Sequence, residues 1–395
     1  MPDGNWGPGT SNARPAAPAM GGTTMTRLPT LLLLFLLLLL LPRSSHSIGR
    51  TLADCEAVAA SFNNTCRFPF QAAESVAALE GANITCSNYG TCVDSGHESA
   101  GSNATTKTCT FTRKLCVSCG VEGGGGAVRI RVQSNGLPAH CYQSPVVVPV
   151  EQDIDFSALF NPDVSANVSA PSEATSPATQ DEVDALVCNI TRHEAVPLSS
   201  GYALHGASNL HTSFGTALDG MNLFNAMSAD AADPFYPTTY NTSSGESKGS
   251  DVAEKIDACL EHPQATGIFH YHSMPPCMLN HSIDGSQPSN TIADIKSWML
   301  TGFQASDGLL VMGVAKDGHL VYGPYQADGT LVTAGFDVCG GVWFDEDGDG
   351  APETYAYFAT DTFPYYSGCF GPGNFPEHTP QCTTNPPAGY VRGGV

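Results

Sequence analysis

The feature that most constrains the fold of this chain is an internal duplication in its second half. Gly215–Gly220 reads GTALDG and leads into a Leu-Phe pair, and Gly313–Gly318 reads GVAKDG and leads into a Val-Tyr pair. In both copies an Asp-Gly lies between two apolar runs, which is typical of a β-hairpin turn. The sequence therefore predicts two similar hairpins, with turns at Asp219-Gly220 and Asp317-Gly318.

Each predicted hairpin is followed by a cysteine, an aromatic-rich segment and a second cysteine. These are Cys259, Phe269–His272 and Cys277 in the first copy, and Cys339, Tyr355–Phe358 and Cys369 in the second. Two copies predict a pseudo-twofold unit and not a solenoid. We expect a mainly β fold in which two related units pack face to face as a sandwich or barrel-like domain, with one or two short helices.

The N-terminal region predicts export. Leu31–Leu41 is an uninterrupted apolar run with a basic residue before it and the small residues Ser45 and Ser47 after it. This is the pattern of a secretory signal peptide, and the run is shorter than the ~20 residues of a spanning helix. We expect residues 1–47 to be the signal peptide, cleavage near Ser47–Ile48, and a secreted, extracellular protein. An uncleaved leader would be its one attachment to a membrane.

Other features of the sequence agree with export. The chain has 14 cysteines, an even number that suits disulfides in an oxidising compartment. Seven N-x-S/T sequons predict a glycoprotein. They begin at Asn63, Asn83, Asn103, Asn167, Asn189, Asn241 and Asn280.

Seven of the cysteines lie within residues 48–122, where we predict a small disulfide-rich domain. Because seven is odd, one of them must pair outside the segment or stay free, and Cys141 is the nearest candidate. Cys116 and Cys119 form a CxxC pair that could be a redox pair or half of a zinc site. No second CxxC and no nearby histidine accompany it, so we expect two structural half-cystines.

The pattern changes after a glycine run at 123–126, which we interpret as a hinge. Ala127–Gln133 alternates apolar with polar residues, as a half-buried strand does. We predict a main domain over 127–375 with a surface insertion at 161–184, and a C-terminal tail over 376–395. Further predicted elements are a β-rich run at Val146–Val150 and helices at Asp251–Leu260 and Thr291–Leu300.

Five segments carry a resemblance to a known family. They are NGLPAH at 135–140, CLEHP at 259–263, FHYHSMPPC at 269–277, GVAKDGHLVYGPY at 313–325 and TFPYYSGCFGPGN at 362–374. In this order they resemble the blocks of the YHYH domain family, over roughly residues 127–374. The family is uncharacterised, so the resemblance implies membership and no reaction. Ala356 and Phe358 stand where a second pair of histidines would be, which disfavours a symmetric two-site mechanism.

The histidines of the FHYH segment predict a metal site. His270 and His272 are two residues apart on a predicted strand, so both imidazoles face the same side. The candidates for further ligands are His262, His140 and His281. Imidazole ligands with an open position suit Zn²⁺ or Cu²⁺ and either hydrolysis or redox chemistry. The alternative is a structural pair of histidines in a polar network that joins the strands.

A second ion site is predicted in an acidic loop. The loop has four carboxylates at alternating or nearly alternating positions around a glycine, and their oxygen atoms are ligands that suit Ca²⁺. These carboxylates belong to Asp345, Asp347, Asp349 and Glu353. Ala356 stands where an EF-hand would have its bidentate glutamate, so the pattern is closer to short calcium loops between strands. The alternative is a solvated acidic turn.

Charge and motifs exclude several function classes. With 38 acidic against 16 basic residues, the net charge of −22 argues against nucleic acid as a partner. The sequence has no G-x-S-x-G elbow and no phosphate-binding P-loop.

Two hypotheses for the function remain. The first is a metal-binding extracellular module that binds or interacts with an unidentified ligand. The second is a secreted Zn- or Cu-dependent hydrolase or oxidase that uses the FHYH histidines. The absent second histidine pair favours the first. An enzyme site would require three converging side chains and an open coordination position.

Overall fold

The computed structural model describes most residues between Ile48 and Phe370. The longest gaps in this range are 88–107, 163–173, 176–205 and 347–353, and residues 1–47 and 371–395 also lie outside the described part. The described residues belong to one compact unit. The chain is mainly β, with few and short helices, as predicted.

The described residues form two α-helices, two single 3-10 turns and eighteen strands. The helices are α1 Leu52–Ser61 and α2 Ile295–Leu300, and the 3-10 turns are Val76–Ala78 and Pro276–Met278. The strands are β1 Ala82–Ser87, β2 Thr108–Arg113, β3 Leu115–Glu122, β4 Ala127–Ser134, β5 Ile154–Leu159, β6 Ala174–Thr175, β7 Gly206–Ser208, β8 Ser213–Ala217, β9 Asn222–Phe224, β10 Thr239–Asn241, β11 Ser247–Gly249, β12 Glu261–Pro263, β13 Phe269–Tyr271, β14 Val311–Ala315, β15 Leu320–Tyr322, β16 Gly341–Phe344, β17 Thr354–Phe358 and β18 Cys369–Phe370.

Both predicted hairpins are present and lie at the centre of an eight-stranded sheet. β8 pairs with β9 and β14 with β15, and the glycines of the two turns, Gly220 and Gly318, have φ angles of 95° and 91°. Glycine adopts this left-handed conformation without the strain that a Cβ would add. The order of strands is β12-β13-β9-β8-β14-β15-β17-β16, so the second half mirrors the first.

The two halves meet edge to edge, which differs from the expected face-to-face packing. β8 and β14 pair antiparallel, with Gly215 opposite Ala315 and Ala217 opposite Gly313. A Cβ at Gly215 would collide with the carbonyl oxygen of Val314, and one at Gly313 with that of Thr216. The repeated glycines therefore allow the two central strands to approach each other and form one sheet.

A second sheet, of order β3-β4-β5, joins β3 of the cysteine-rich segment to two strands that follow the glycine run. β3 and β4 pair from Leu115↔Ser134 to Glu122↔Ala127, so the glycines predicted as a hinge connect two strands of one hairpin. Polar contacts attach this region to the first turn of the large sheet. Arg113 Nε donates to the carbonyl oxygen of Asp219 at 2.7 Å, and Ser134 Oγ to that of Gly220 at 2.7 Å.

Four disulfides lie within the described residues, and they agree with the predicted roles of the cysteines. They are Cys55–Cys119, Cys66–Cys116, Cys86–Cys141 and Cys259–Cys277. Cys116 and Cys119 thus have different partners, as expected of structural half-cystines, and Cys141 is the partner outside the segment. These bonds are consistent with an extracellular protein.

The helices were predicted less well than the hairpins. α1 was not predicted, although Thr51 and Asp54 form a capping box in which each side chain accepts the other residue's backbone N–H. α2 begins behind Asp294 and is shorter than the predicted Thr291–Leu300. The helix predicted over Asp251–Leu260 is wrong, because residues 252–260 contain no helix. There the carboxylate of Asp257 accepts the N–H of Cys259 at 2.8 Å in a local turn.

One predicted strand is not found in the described residues. Residues 147–150 of the predicted β run Val146–Val150 form no strand. Neither helix in the described part of the chain has the length and apolar character needed to cross a membrane.

Candidate metal centre

Three histidines converge on one face of the first half of the large sheet. β12 and β13 pair antiparallel with His262 opposite His270, and His272 follows two residues later on the same side. The Nε2 atom of His272 lies 3.0 Å from that of His270 and 3.1 Å from that of His262. All three residues are buried, with exposed fractions of 6% for His262, 1% for His270 and 3% for His272.

The protonation of these rings follows from their surroundings. Burial lowers the pKa of His262 and of His270 well below the ordinary value, and the neighbouring imidazoles lower both further. Both rings are therefore neutral at pH 7. The Nδ1 atom of His270 lies 2.9 Å from the carbonyl oxygen of Ile268, which can only accept, so this nitrogen carries the proton. The lone pair of His270 Nε2 consequently points toward the other two histidines.

Other side chains flank the rings of this cluster. His262 Nδ1 lies 3.7 Å from Glu254 Oε2, a carboxylate on the far side of the ring from the point of convergence. Phe224 of β9 stacks on His270 with ring centroids 4.0 Å apart and an interplanar angle of 19°. A carboxylate or carbonyl behind a histidine is the usual outer partner of an imidazole that binds a metal.

The spacing of the three nitrogens suits a single ion. Nitrogen ligands at 2.0–2.1 Å from a tetrahedral Zn²⁺ are about 3.3 Å apart, close to the two contacts between Nε2 atoms. Two other groups of potential ligands include Cys259 or Cys277. These two sulfurs are bonded to each other and are not available as thiolates.

Residues 196–339 match the family model described as YHYH protein. These residues are similar to the YHYH family, and we refer to them as the YHYH domain. No curated protein and no solved structure matches the chain. The match includes all three converging histidines of the YHYH domain, while the NGLPAH segment and the block at 362–374 lie outside it.

The structure does not bring every predicted ligand to this point. His140 lies on the opposite face of β12, where its Nε2 atom is 3.2 Å from Glu261 Oε1. Glu261 precedes His262, and adjacent residues of a strand point to opposite faces. The remaining candidate, His281, lies outside the described residues.

Behind the three histidines, the YHYH domain contains a buried acidic network that the sequence analysis did not identify. Tyr271 donates from its hydroxyl to Asp219 Oδ2 at 2.6 Å. Burial raises the pKa of Asp257 and of Glu261 well above their ordinary values, and the two carboxyl groups also interact with each other. In the sequence these are single acidic residues beside the motif, which is too common a pattern to predict a buried network.

The described residues of the second half of the large sheet contain no equivalent of the histidine cluster. Tyr271 pairs with Leu223 of β9, and Tyr357 pairs with Val321 of β15, at matching positions of the duplication. This register aligns the three histidines with apolar residues. His262, His270 and His272 correspond to Val342, Ala356 and Phe358.

The other predicted sites are described only in part. Asp347, Asp349 and Glu353 of the acidic loop lie outside the described residues, so calcium remains a prediction. Among the sequons, Asn63 and Asn83 are exposed, as glycosylation requires.

Proposed function

We propose that this chain is a secreted glycoprotein whose YHYH domain binds one Zn²⁺ or Cu²⁺ ion through His262, His270 and His272 and acts as an extracellular binding module. The observation that carries the proposal is the convergence of three buried imidazoles, in which His272 Nε2 lies 3.0 Å from His270 Nε2 and 3.1 Å from His262 Nε2. Nitrogen ligands of this kind suit either metal.

The protonation of the cluster supports a cation more than a polar network. His272 Nε2 has at most one proton to share between two neighbours, and the lone pair of His270 already points at it. Without a cation, at most one of the two short contacts at His272 Nε2 can be a well-aligned hydrogen bond, which leaves the other nitrogen poorly satisfied in a buried environment. A metal ion would instead accept the lone pairs of all three nitrogens.

The extracellular location is supported by independent features. The leader pattern predicts export, and four disulfides join cysteines of the described residues. The exposed Asn63 and Asn83 support glycosylation. A structural Ca²⁺ in the acidic loop that begins at Asp345 completes the proposal, and its support is the spacing of the carboxylates alone.

A metal-dependent hydrolase or oxidase is the second candidate. Three imidazoles leave a fourth coordination position for water or substrate, as in catalytic zinc sites. The low exposure of all three rings favours the binding module, because a substrate would need a path to the ion.

The test is elemental analysis of the protein secreted by a eukaryotic host. We expect about one equivalent of zinc or copper in the parent and none in the double variant His270→Ala/His272→Ala. The matched control is Phe358→Leu, a change at the position in the second half that corresponds to His272, which should keep its metal. A parent without a transition metal, even after incubation with Zn²⁺ or Cu²⁺, would contradict the proposal.

A further inference from the structure

Glu346 is a buried carboxylate just after β16, the strand at the opposite edge of the large sheet from β12. Its exposed fraction is 6%. Oε1 accepts the backbone N–H of Ile48 at 2.7 Å and the hydroxyl of Tyr322 at 3.1 Å, and Oε2 accepts the hydroxyl of Thr354 at 3.2 Å. Burial raises the pKa of Glu346, and the negative charge of Asp54 raises it further.

Ile48 is held firmly beside this carboxylate. Its carbonyl oxygen accepts from Asn161 Nδ2 at 2.9 Å, and its side chain packs against the main core. Asn161 in turn accepts from Arg50 Nε through its own carbonyl oxygen at 2.9 Å. The contacts of the Ile48 carbonyl oxygen and side chain thus fix the position of its backbone nitrogen.

In this arrangement the charge of Glu346 faces neutral donors. Those donors are one amide and two hydroxyls, and the like charge of Asp54 raises the pKa of this carboxyl group further. Removing a carboxylate from water is costly unless it is paired with a cation. The position of Ile48 N is where a cation would compensate it.

We infer that Ile48 is the amino terminus of the mature protein and that its α-ammonium group forms a buried ion pair with Glu346. Ser45 and Ser47 are the small residues that precede a signal-peptide cleavage site. Hydrolysis of the Ser47–Ile48 bond consumes one water and leaves a carboxylate on Ser47 and an amine on Ile48. The amine takes up a proton, since an α-amino group has a pKa of about 7.7–8.0.

Cleavage therefore changes the charge and the number of donors at this contact, while the same two atoms remain in contact. In the precursor, the Ile48 amide donates one N–H to Glu346; in the mature chain the same atom carries three N–H donors and a full charge. The ion pair joins the start of the cysteine-rich segment to Glu346, between β16 and β17, which is 298 residues away in sequence. Removal of the leader would in this way strengthen the closure of the folded domain.

The ion pair determines the direction in which the stability of the folded protein changes with pH. The carboxylate raises the pKa of the α-ammonium above its unfolded value of about 8. The contribution to stability is thus fully present below pH 8 and is lost as the pH rises through the folded pKa. The other titratable groups around Glu346 are Tyr322 on β15, whose pKa burial raises well above the ordinary value, and Asp54 on α1.

Mass spectrometry of the N-terminal peptide and thermal unfolding of the secreted full-length chain test the inference. We expect the sequence to begin at Ile48, and Glu346→Gln to lower Tm by about 5 °C at pH 7. This difference between parent and variant should shrink between pH 8 and pH 10. The matched control is Thr354→Val, which removes a neutral hydrogen bond to the same carboxylate, so its Tm difference should stay constant with pH.

Two results would overturn the inference: a mature chain that begins at another residue, or a Glu346→Gln difference that is the same at pH 7 and pH 10. If the Glu346→Gln variant is not secreted, reductive methylation of the parent at pH 7 decides. The Ile48 amine should react at least ten-fold more slowly in the folded than in the urea-unfolded protein. Equal rates would show that the amine is free and unpaired.

Discussion

In the first half of the large sheet, three buried histidines lie where the second half has Val342, Ala356 and Phe358. The backbone around these positions is otherwise the same: a hairpin, a strand parallel to its second arm, and an antiparallel edge strand. Because one half folds with apolar residues, the architecture does not depend on the histidines. Buried imidazoles cost free energy that valine, alanine and phenylalanine do not. Their presence in one half therefore indicates a function specific to that half.

Other residues are the same in both halves and indicate what the fold itself requires. The aspartate of each hairpin turn accepts a tyrosine hydroxyl from the parallel strand, Tyr271 to Asp219 and Tyr357 to Asp317, both at 2.6 Å. These bonds tie each turn to the strand beside it. The tyrosine–aspartate pair is therefore structural, because both halves contain it. The three candidate metal ligands belong to the first half.

The largest effect is expected from giving the first half the residues of the second. In the triple variant His262→Val/His270→Ala/His272→Phe, we expect the stability in the presence of a chelator to equal or exceed that of the parent. With metal at a thousand times Kd, the parent should gain about 4 kcal/mol and the variant nothing. Chemical unfolding with and without Zn²⁺ or Cu²⁺ measures both. If the variant is unfolded in chelator while the parent is folded under the same conditions, the histidines are structural.

A second effect concerns Asp233, which connects the two halves. Its Oδ1 atom accepts the N–H of Phe235 and the hydroxyl of Tyr365, which follows β17. Burial raises its pKa from 3.8 to about 6. A raised acid pKa contributes stability that is present below pH 4 and is lost as the pH rises through 6, by roughly 3 kcal/mol.

Asp233→Asn should remove this loss. The free energy of unfolding of the variant relative to the parent should therefore increase between pH 4 and pH 6 and stay constant above pH 7. Denaturant titrations at pH 4, 5, 6 and 7 measure it. Parallel curves for parent and variant would mean that Asp233 ionises with its ordinary pKa.

A smaller difference is expected between the two tyrosine–aspartate pairs. Tyr271→Phe should lower the free energy of unfolding by about 2 kcal/mol, since it removes a hydroxyl that donates to a buried carboxylate. Tyr357→Phe should cost about 1 kcal/mol less, because Asp317 Oδ2 keeps a contact of 3.1 Å with His319 Nδ1. Thermal unfolding of the two variants compares them directly, and a larger loss for Tyr357→Phe would reverse the ranking.

The smallest effect is expected at Glu254, whose carboxylate lies behind His262 at 3.7 Å. Glu254→Gln should weaken the affinity for Zn²⁺ or Cu²⁺ about five-fold, less than the 10- to 100-fold of a closely bonded outer partner. Isothermal titration measures the change. Lys255→Gln, at the exposed neighbouring position, is the control and should leave the affinity unchanged; equal affinities for both variants would remove Glu254 from the site.

The features that could be predicted are those with a local cause. The Asp-Gly turns were found because only a few residue pairs suit a turn with a positive φ angle. The alternation of Ala127–Gln133 identified β4, and the spacing of His270 and His272 placed both on one face. In each case the signal extends over no more than a few residues.

The predictions that went wrong involved partners distant in sequence. The helix predicted over Asp251–Leu260 is replaced by a turn in which Asp257 accepts the backbone N–H of Gln143, 114 residues away, at 3.0 Å. His140, assigned to the metal, instead lies beside Glu261 on the other face of β12. A propensity or a motif cannot show which side of a strand a distant residue will reach.

The sequence by itself determined the duplication, the mainly β class, the structural role of the cysteine pair at Cys116 and Cys119 and two residues of the histidine cluster. Only the tertiary structure decided that the halves join edge to edge, that His262 completes the cluster and that Glu346 meets Ile48. The physical reason is that periodicity and turn chemistry act between neighbours in the chain. The pairing of strands and the burial of charges depend on which segments, separated by up to 298 residues, come into contact when the core forms.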